Sequence, residues 1–330
     1  MSLITFTDRG LYCRQADVYI DPWKPVPRAL ITHGHADHAR YGHKKYLATH
    51  SAIPVIKHRL GDIHIRGINY GDSIDINGVK VSFHPAGHII GSAQIRLEYK
   101  GEIWVISGDY KIEDDGISEP YDNIPCTHFV TECTFGLPIF NWSPQNQVIN
   151  EINAWWQKNK DEGKTSLLTA YSLGKAQRLV QSLNPEIGKI FTHGAIENTN
   201  QVLRDQGINL KDTHLITDEF THKDYIGNLV ITPPGALGSN WMKRFKNVST
   251  ASASGWMAMR GTRRRGSTDR GFVLSDHADW KGLNGAIKSC GAEKVFVTHG
   301  YTDIFSKWLK SEGIDAHIVS TEYDGDEGGS

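Results

Sequence analysis

"ITHGHADHAR", residues 31–40, places His33, His35, Asp37 and His38 within six positions, directly after an apolar run. Polar side chains crowded this closely either decorate an exposed turn or hold something charged. Imidazole and carboxylate are ligands for first-row divalent cations, with Zn²⁺ and Mn²⁺ foremost. His33 and His35, two residues apart in an extended loop, can reach one ion. Asp37 and His38, adjacent in sequence, can turn to a neighbouring one. An exposed turn explains these four residues alone, so the decision rests on what the remainder of the chain supplies.

The remainder supplies a recurring pattern. Short runs rich in Val, Ile, Phe or Trp, bounded by glycine or polar residues as strands are, end in a His, Asp or Glu. "VKVSFHPAGH" ends at His88, "EIWVISGD" at Asp109 and "GFVLSDH" at His277, while "THFVTEC" carries Glu132 and "KVFVTHG" carries His299. Strand ends suit a site because the sheet fixes the backbone while the side chain faces a cleft. Glycines beside His88 let the backbone approach closely, and Asp109, with two carboxylate oxygens, can bridge two ions.

Helical spacing appears between these runs. Val148, Ile149, Ile152, Trp155 and Trp156 follow Ser143-Pro144, a pair predicted to cap and open a helix. Ala176, Leu179, Val180 and Leu183 recur at helical intervals after Gly174-Lys175. Strands mixed with helices predict an α/β chain. Residues 139–274 lack strand-end ligands apart from His193 in "IFTHG", and the ligand pattern resumes over 275–300. The expected organisation is therefore a first domain over 1–138, an inserted domain over 139–274, and a return segment over 275–330 that ends in the acidic, glycine-rich "TEYDGDEGGS".

With 330 residues and a net charge of −1, the chain carries no global field that would draw nucleic acid or membrane. No apolar stretch approaches membrane-spanning length and no basic-then-apolar leader opens the sequence, so the expected location is the cytoplasm, away from membranes. The cysteines, Cys13, Cys126, Cys133 and Cys290, lack CxxC pairing and read as buried thiols. Charge is concentrated locally instead. Between Lys243 and Arg270 lie eight basic residues and a single acid, Asp269. Arg260, Arg263, Arg264 and Arg265 in that segment are expected to meet phosphates. "STASASGW" (249–256) and "SLGKAQ" (172–177) add Ser252, Ser254 and Lys175 at positions where backbone N–H groups and a helix N-terminus can receive an anion. Trp241 and Trp256 read as core residues more than as base-stacking ones.

"THGHADH", "AGHIIGSA" and "SGD", in that order, resemble the metallo-β-lactamase fold, an αββα sandwich with metals at its strand ends. "TECTFG", "SDHAD" and "VTHG" resemble the three additional motifs of its β-CASP nuclease branch, which carries an inserted α/β cap domain. "YIDPW", "PPGALGS", "SGWM" and "FVLSDHADW" are similar to compact bacterial members described as ligase-associated DNA exonucleases or as relatives of mRNA 3′-end processing factors. Carried onto this chain, the resemblance implies one ion held by His33, His35, His88 and Asp109, and a second held by Asp37, His38, Asp109 and His299. It implies that Asp21, in "YIDP", orients the site. His299 at the last motif matches the RNA-processing and RNase J-like members.

Two such cations, Zn²⁺ or Mn²⁺, would clamp a phosphate and activate water for attack on phosphorus. His277 is the expected general acid, with Glu132 fixing its tautomer and favouring its protonated form. The expected function is a two-metal phosphodiesterase, a DNA exonuclease of DNA repair, with an RNA-processing nuclease as the alternative. Expected partners are DNA, or RNA in that alternative, and a DNA ligase or other repair proteins. Hydrolysis of a small thioester or lactam fits the basic segment poorly, and a binding-only subunit fits poorly with a complete ligand set.

Overall fold

A computed structural model describes residues 2–259, 261 and 268–319. Arg260, Arg263, Arg264, Arg265 and the acidic tail at 321–330 lie outside the described residues. The chain divides into two compact units, one built from residues up to Pro138 and from His277 onward, the other from Ile139–Asp276. The return thus falls at 276/277, where the sequence pattern suggested 274/275.

The first unit is a sandwich of two sheets. One has the order β1 (Ile4–Thr7), β2 (Gly10–Cys13), β3 (Val18–Ile20), β4 (Ala29–Leu30), β5 (Tyr46–Thr49), β6 (Ile65–Ile68). The other runs β19 (Asp315–Ile318), β18 (Lys294–Gly300), β11 (His128–Cys133), β10 (Glu102–Ile106), β9 (Ala93–Tyr99), β8 (Val79–Pro85), β7 (Ser73–Ile76). Period-2 alternation decides which faces meet: Val79, Val81 and Phe83 of β8 and Ala93, Ile95 and Leu97 of β9 pack with Leu11, Ile20 and Trp104 in the core between the sheets. On the far face of the second sheet, Val105, Phe129, Val295 and Val297 pack against α5 (Trp280–Cys290) and α6 (Thr302–Ser311) through Leu283, Ile287, Phe305 and Leu309. On the far face of the first sheet, α1 (Ile53–Leu60) contributes Ile56 to a cluster with Ala29, Ile31 and Tyr46. The layers are therefore α, β, β, α.

The second unit is a six-stranded parallel sheet in the order β14 (His214–Leu215), β13 (Ile190–Thr192), β15 (Leu229–Thr232), β12 (Thr165–Thr169), β16 (Val248–Ala253), β17 (Arg270–Phe272). A parallel sheet needs cover on both faces. Val148, Ile152, Trp156, Leu179 and Val180, from α2 (Gln145–Asp161) and α3 (Lys175–Ser182), cover one face together with Ile196 of α4 (Gly194–Asp205). Phe191, Tyr225, Val230 and Phe245 form the cluster on the other. All four cysteines are free and buried. Among the described residues no helix is long and apolar enough to cross a membrane.

Two local expectations are corrected. "GFVLSDH" is not a strand running to His277: β17 stops at Phe272 and pairs with β16 in the second unit, and His277 comes from the segment that leads into α5. The helix expected to start with Ser143 as cap starts later, with Pro144 in the cap position and no side-chain cap bond.

Candidate metal centre

Beyond β4 the chain forms an irregular loop over 31–40. The Ala39 N–H returns to the His35 carbonyl at 2.9 Å, and Arg59 of α1 donates from Nη1 to the Gly34 carbonyl at 2.7 Å, so the loop is held from within and from the neighbouring helix. His33, His35, His88 and Asp109 offer ligand atoms that all lie within 4.8 Å of one another, and so do Asp37, His38 and His299. His35 Nδ1 lies 3.1 Å from both His33 Nε2 and His88 Nε2. Asp109 stands between the two groups. Its Oδ2 is 3.4 Å from His33 Nε2 and 3.7 Å from His88 Nε2, while its Oδ1 is 3.4 Å from His38 Nε2.

The electrostatics favour a cation. Burial, aided by neighbouring His38, holds His33 well below its ordinary pKa, which keeps it a neutral ligand. Burial opposes charge on His38, but Asp109, Asp37 and Asp21 outweigh it and raise His38 well above the ordinary value. Burial likewise opposes charge on Asp109, yet His38 and His277 hold this carboxylate well below its usual range. His299 is lowered to about 4 by burial and by the nearby His38. Converging imidazoles, of which His33 and His299 are held neutral, together with an ionised Asp109 make up the kind of donor set that first-row divalent ions take, and the residues present fit two of them.

The supporting shell fixes these rings. Asp21 follows β3 with a φ of 40° and accepts from Thr32 N–H at 2.8 Å and from the Thr32 hydroxyl at 2.6 Å. The same carboxylate accepts from His38 Nδ1 at 2.8 Å, which directs Nε2 toward Asp109 and Asp37. His88 sits in a loop whose N–H groups at His88 and Ile89 donate to Ser92 Oγ at 3.1 and 3.2 Å. Gly91 has a φ of 83°, and a Cβ there would meet the Ala52 backbone at 2.5 Å. His277 Nδ1–H donates to Glu132, 2.9 and 2.8 Å from its two oxygens, and Tyr110 N–H donates to Glu132 Oε1 at 2.9 Å. Burial, with Asp109 adding to it, raises the pKa of Glu132 despite His277.

Sequence reasoning missed Thr32, Arg59, Ser92 and Tyr110. Of these, Thr32 and Ser92 fall inside the motifs "THGHADH" and "AGHIIGSA", without a role having been read for either. Of the residues expected to meet phosphate, Ser252 lies half-buried in β16, and Ser254 Oγ accepts from Trp256 N–H at 3.3 Å. Lys175, also expected to meet phosphate, is 1% exposed with its ammonium 3.7 Å from Asp276. His193, the weaker ligand candidate, caps α4 by accepting from Ala195 N–H at 3.1 Å.

No family model matches the chain. It is 29% identical to a protein named "Probable DNA ligase" from Opitutus terrae, over 95% of this chain and 31% of that one. It is 24% identical to an "Endoribonuclease YSH1" from Kluyveromyces lactis, over 75% of this chain and 40% of that one. It is 25% identical to an "RNase J-like protein" from Methanocaldococcus jannaschii, over 54% and 50% respectively. The chain thus spans half or less of the length of each of these relatives. A crystal structure of a protein of unknown function from Enterococcus faecalis V583 shares the fold, with a TM-score of 0.58 at 11% identity over 89% of this chain and 79% of that one.

The αββα sandwich, with histidine and carboxylate groups gathered at its strand ends, defines a protein of the metallo-β-lactamase fold. Its α/β unit inserted over Ile139–Asp276 accompanies motifs that resemble those of the β-CASP branch, and the chain is similar to the three relatives above.

Proposed function

We propose that this chain is a two-metal-dependent phosphodiesterase acting on nucleic acid, a DNA exonuclease of repair. The observation that carries the reading is the shared carboxylate: Asp109 presents one oxygen to His33 and His88 and the other to His38, beside a His277–Glu132 pair joined at 2.8 Å. One ion belongs with His33, His35, His88 and Asp109, and the other with Asp37, His38, Asp109 and His299. When bound, a pair of Zn²⁺ or Mn²⁺ ions at such a site neutralises phosphate charge and makes water nucleophilic near neutral pH. Asp21 orients His38. Glu132 holds Nδ1 of His277, leaving proton delivery to Nε2, where a leaving alkoxide needs it. The basic run at Lys243–Arg270, with Arg260, Arg263, Arg264, Arg265, Ser252 and Ser254, supplies phosphate contacts.

The DNA reading draws on the relative named as a DNA ligase, a link that also makes a ligase or other repair protein the proposed partner. A second reading, cleavage of RNA, draws on the relatives named as an endoribonuclease and as RNase J-like. End-labelled single- and double-stranded DNA and RNA, digested with Mn²⁺ or Zn²⁺, test both. Shortening of DNA from one end supports the first reading, and preferential cleavage of RNA replaces it with the second. No cleavage of any of the four by a chain loaded with metal removes both.

A further inference from the structure

Residues alternate across β18, and that alternation sends His299 the wrong way. Val295 and Val297 face the apolar layer under α5 and α6, while Phe296 packs toward the core between the sheets. By period-2 spacing His299 follows Val295 and Val297 into the apolar layer, away from Asp37 and His38. The ladder with β11 breaks at that point. Glu132 pairs with Thr298 but Cys133 pairs with Gly300, leaving His299 as one extra residue between them. His299 takes up the surplus with a φ of 55°, a left-handed conformation rare for a side chain of this size. The bulge turns its imidazole back among the ligand atoms of Asp37 and His38 and turns its carbonyl toward the apolar side.

That carbonyl meets a donor. Cys133, fully buried, gives its thiol hydrogen to the His299 carbonyl oxygen with Sγ 2.9 Å away, and the Thr298 carbonyl lies 3.5 Å from the same sulfur. Gly300 completes the arrangement, since a Cβ there would lie 2.4 Å from the Cys133 carbonyl, which itself accepts from Tyr301 N–H at 3.1 Å. We propose that Cys133 is a positioning residue whose thiol, bonded to the His299 carbonyl, holds the bulge that delivers the His299 imidazole to Asp37 and His38. The inference rests on the reading that this group holds an ion.

The test is titration of the metal-free chain with Mn²⁺, read by calorimetry and by bound metal after desalting, for the wild type, Cys133→Val, Cys133→Ser and His299→Ala. Valine matches cysteine in size and donates nothing, whereas serine keeps a donor. Expected is weakening of one of two equivalents by roughly 10–100-fold in Cys133→Val, as in His299→Ala, with the other equivalent unchanged and Cys133→Ser near wild type. Wild-type binding of both equivalents by Cys133→Val overturns the inference. So does equal weakening of both equivalents in the valine and serine variants, which marks a general packing role. A wild-type chain that takes up fewer than two equivalents overturns the two-ion reading itself, an outcome visible before any variant is made.

Discussion

His277 reaches across 145 residues of sequence to meet Glu132, a bond that spends a buried carboxylate on one imidazole tautomer. Because the pair lies beside the ligand groups and is not needed to complete either, His277→Ala should slow cleavage roughly 10²–10⁴-fold. Both ions should remain, and metal analysis that finds one missing would make His277 a ligand. His43, outside both ligand groups, gives a further pH signature. It accepts from Val26 N–H at 3.3 Å, and burial lowers its pKa from 6.5 to about 4. Between these values the unfolded chain binds the proton more readily, so His43 favours the native state above pH 6.5 and loses that contribution as pH falls toward 4. Urea melts at pH 7 and pH 5 should differ less for His43→Gln than for the wild type, and an unchanged difference would discharge His43 from this role. At this scale the residues that gather were readable because His33 to His38 are dense and their distant partners share one pattern. Thr32, Arg59 and Ser92 were not, since each acts through a backbone or carboxylate contact that only folding creates.

At the scale of elements, loops carry the centre and glycine sets their reach. The Gly91 N–H donates to Glu119 at 2.9 Å while its Cα lies against Ala52, so Gly91→Ala meets both a left-handed backbone and a 2.5 Å clash. It should cost about 1–3 kcal/mol in denaturant unfolding, and a midpoint equal to that of the wild type would show that the loop yields freely. Strands were legible where alternation is clean, as in β8 and β9. The run before His277 misled because its apolar residues, Phe272 and Leu274, serve the core of the inserted unit. The His299 bulge left no mark in composition, because a register shift is a property of two strands paired, and neither sequence contains it alone.

For the whole molecule, the near-neutral total conceals an uneven distribution of charge. If the basic run carries phosphate binding, replacing Arg263, Arg264 and Arg265 with Ala should weaken affinity for all sequences alike. It should also shallow the salt dependence by about 0.9 in log–log slope per lost contact, and identical slopes across a salt series would reduce these arginines to solvated surface. The sandwich was expected only through the resemblance carried by the motifs, whereas the interruption in the ligand pattern pointed to an insertion near the division now seen at Pro138 and Asp276. The crossing back at His277 was less legible, since a chain can change units in mid-segment without a glycine or proline to announce it.

One feature of the sandwich bears on how the protein is made. The first ligand group is complete by Asp109, but β18, with His299, and the segment holding His277 are synthesised only after the whole inserted unit. While still attached to the ribosome, the chain lacks His277, His299 and the helices that cover Phe129, so non-local pairing must wait for the last strands. On the nuclease reading proposed above, the protein is thereby kept harmless beside its own message. Stalled nascent chains should acquire cutting activity only once residue 300 has cleared the exit tunnel, and activity in shorter ones would show that the early half suffices.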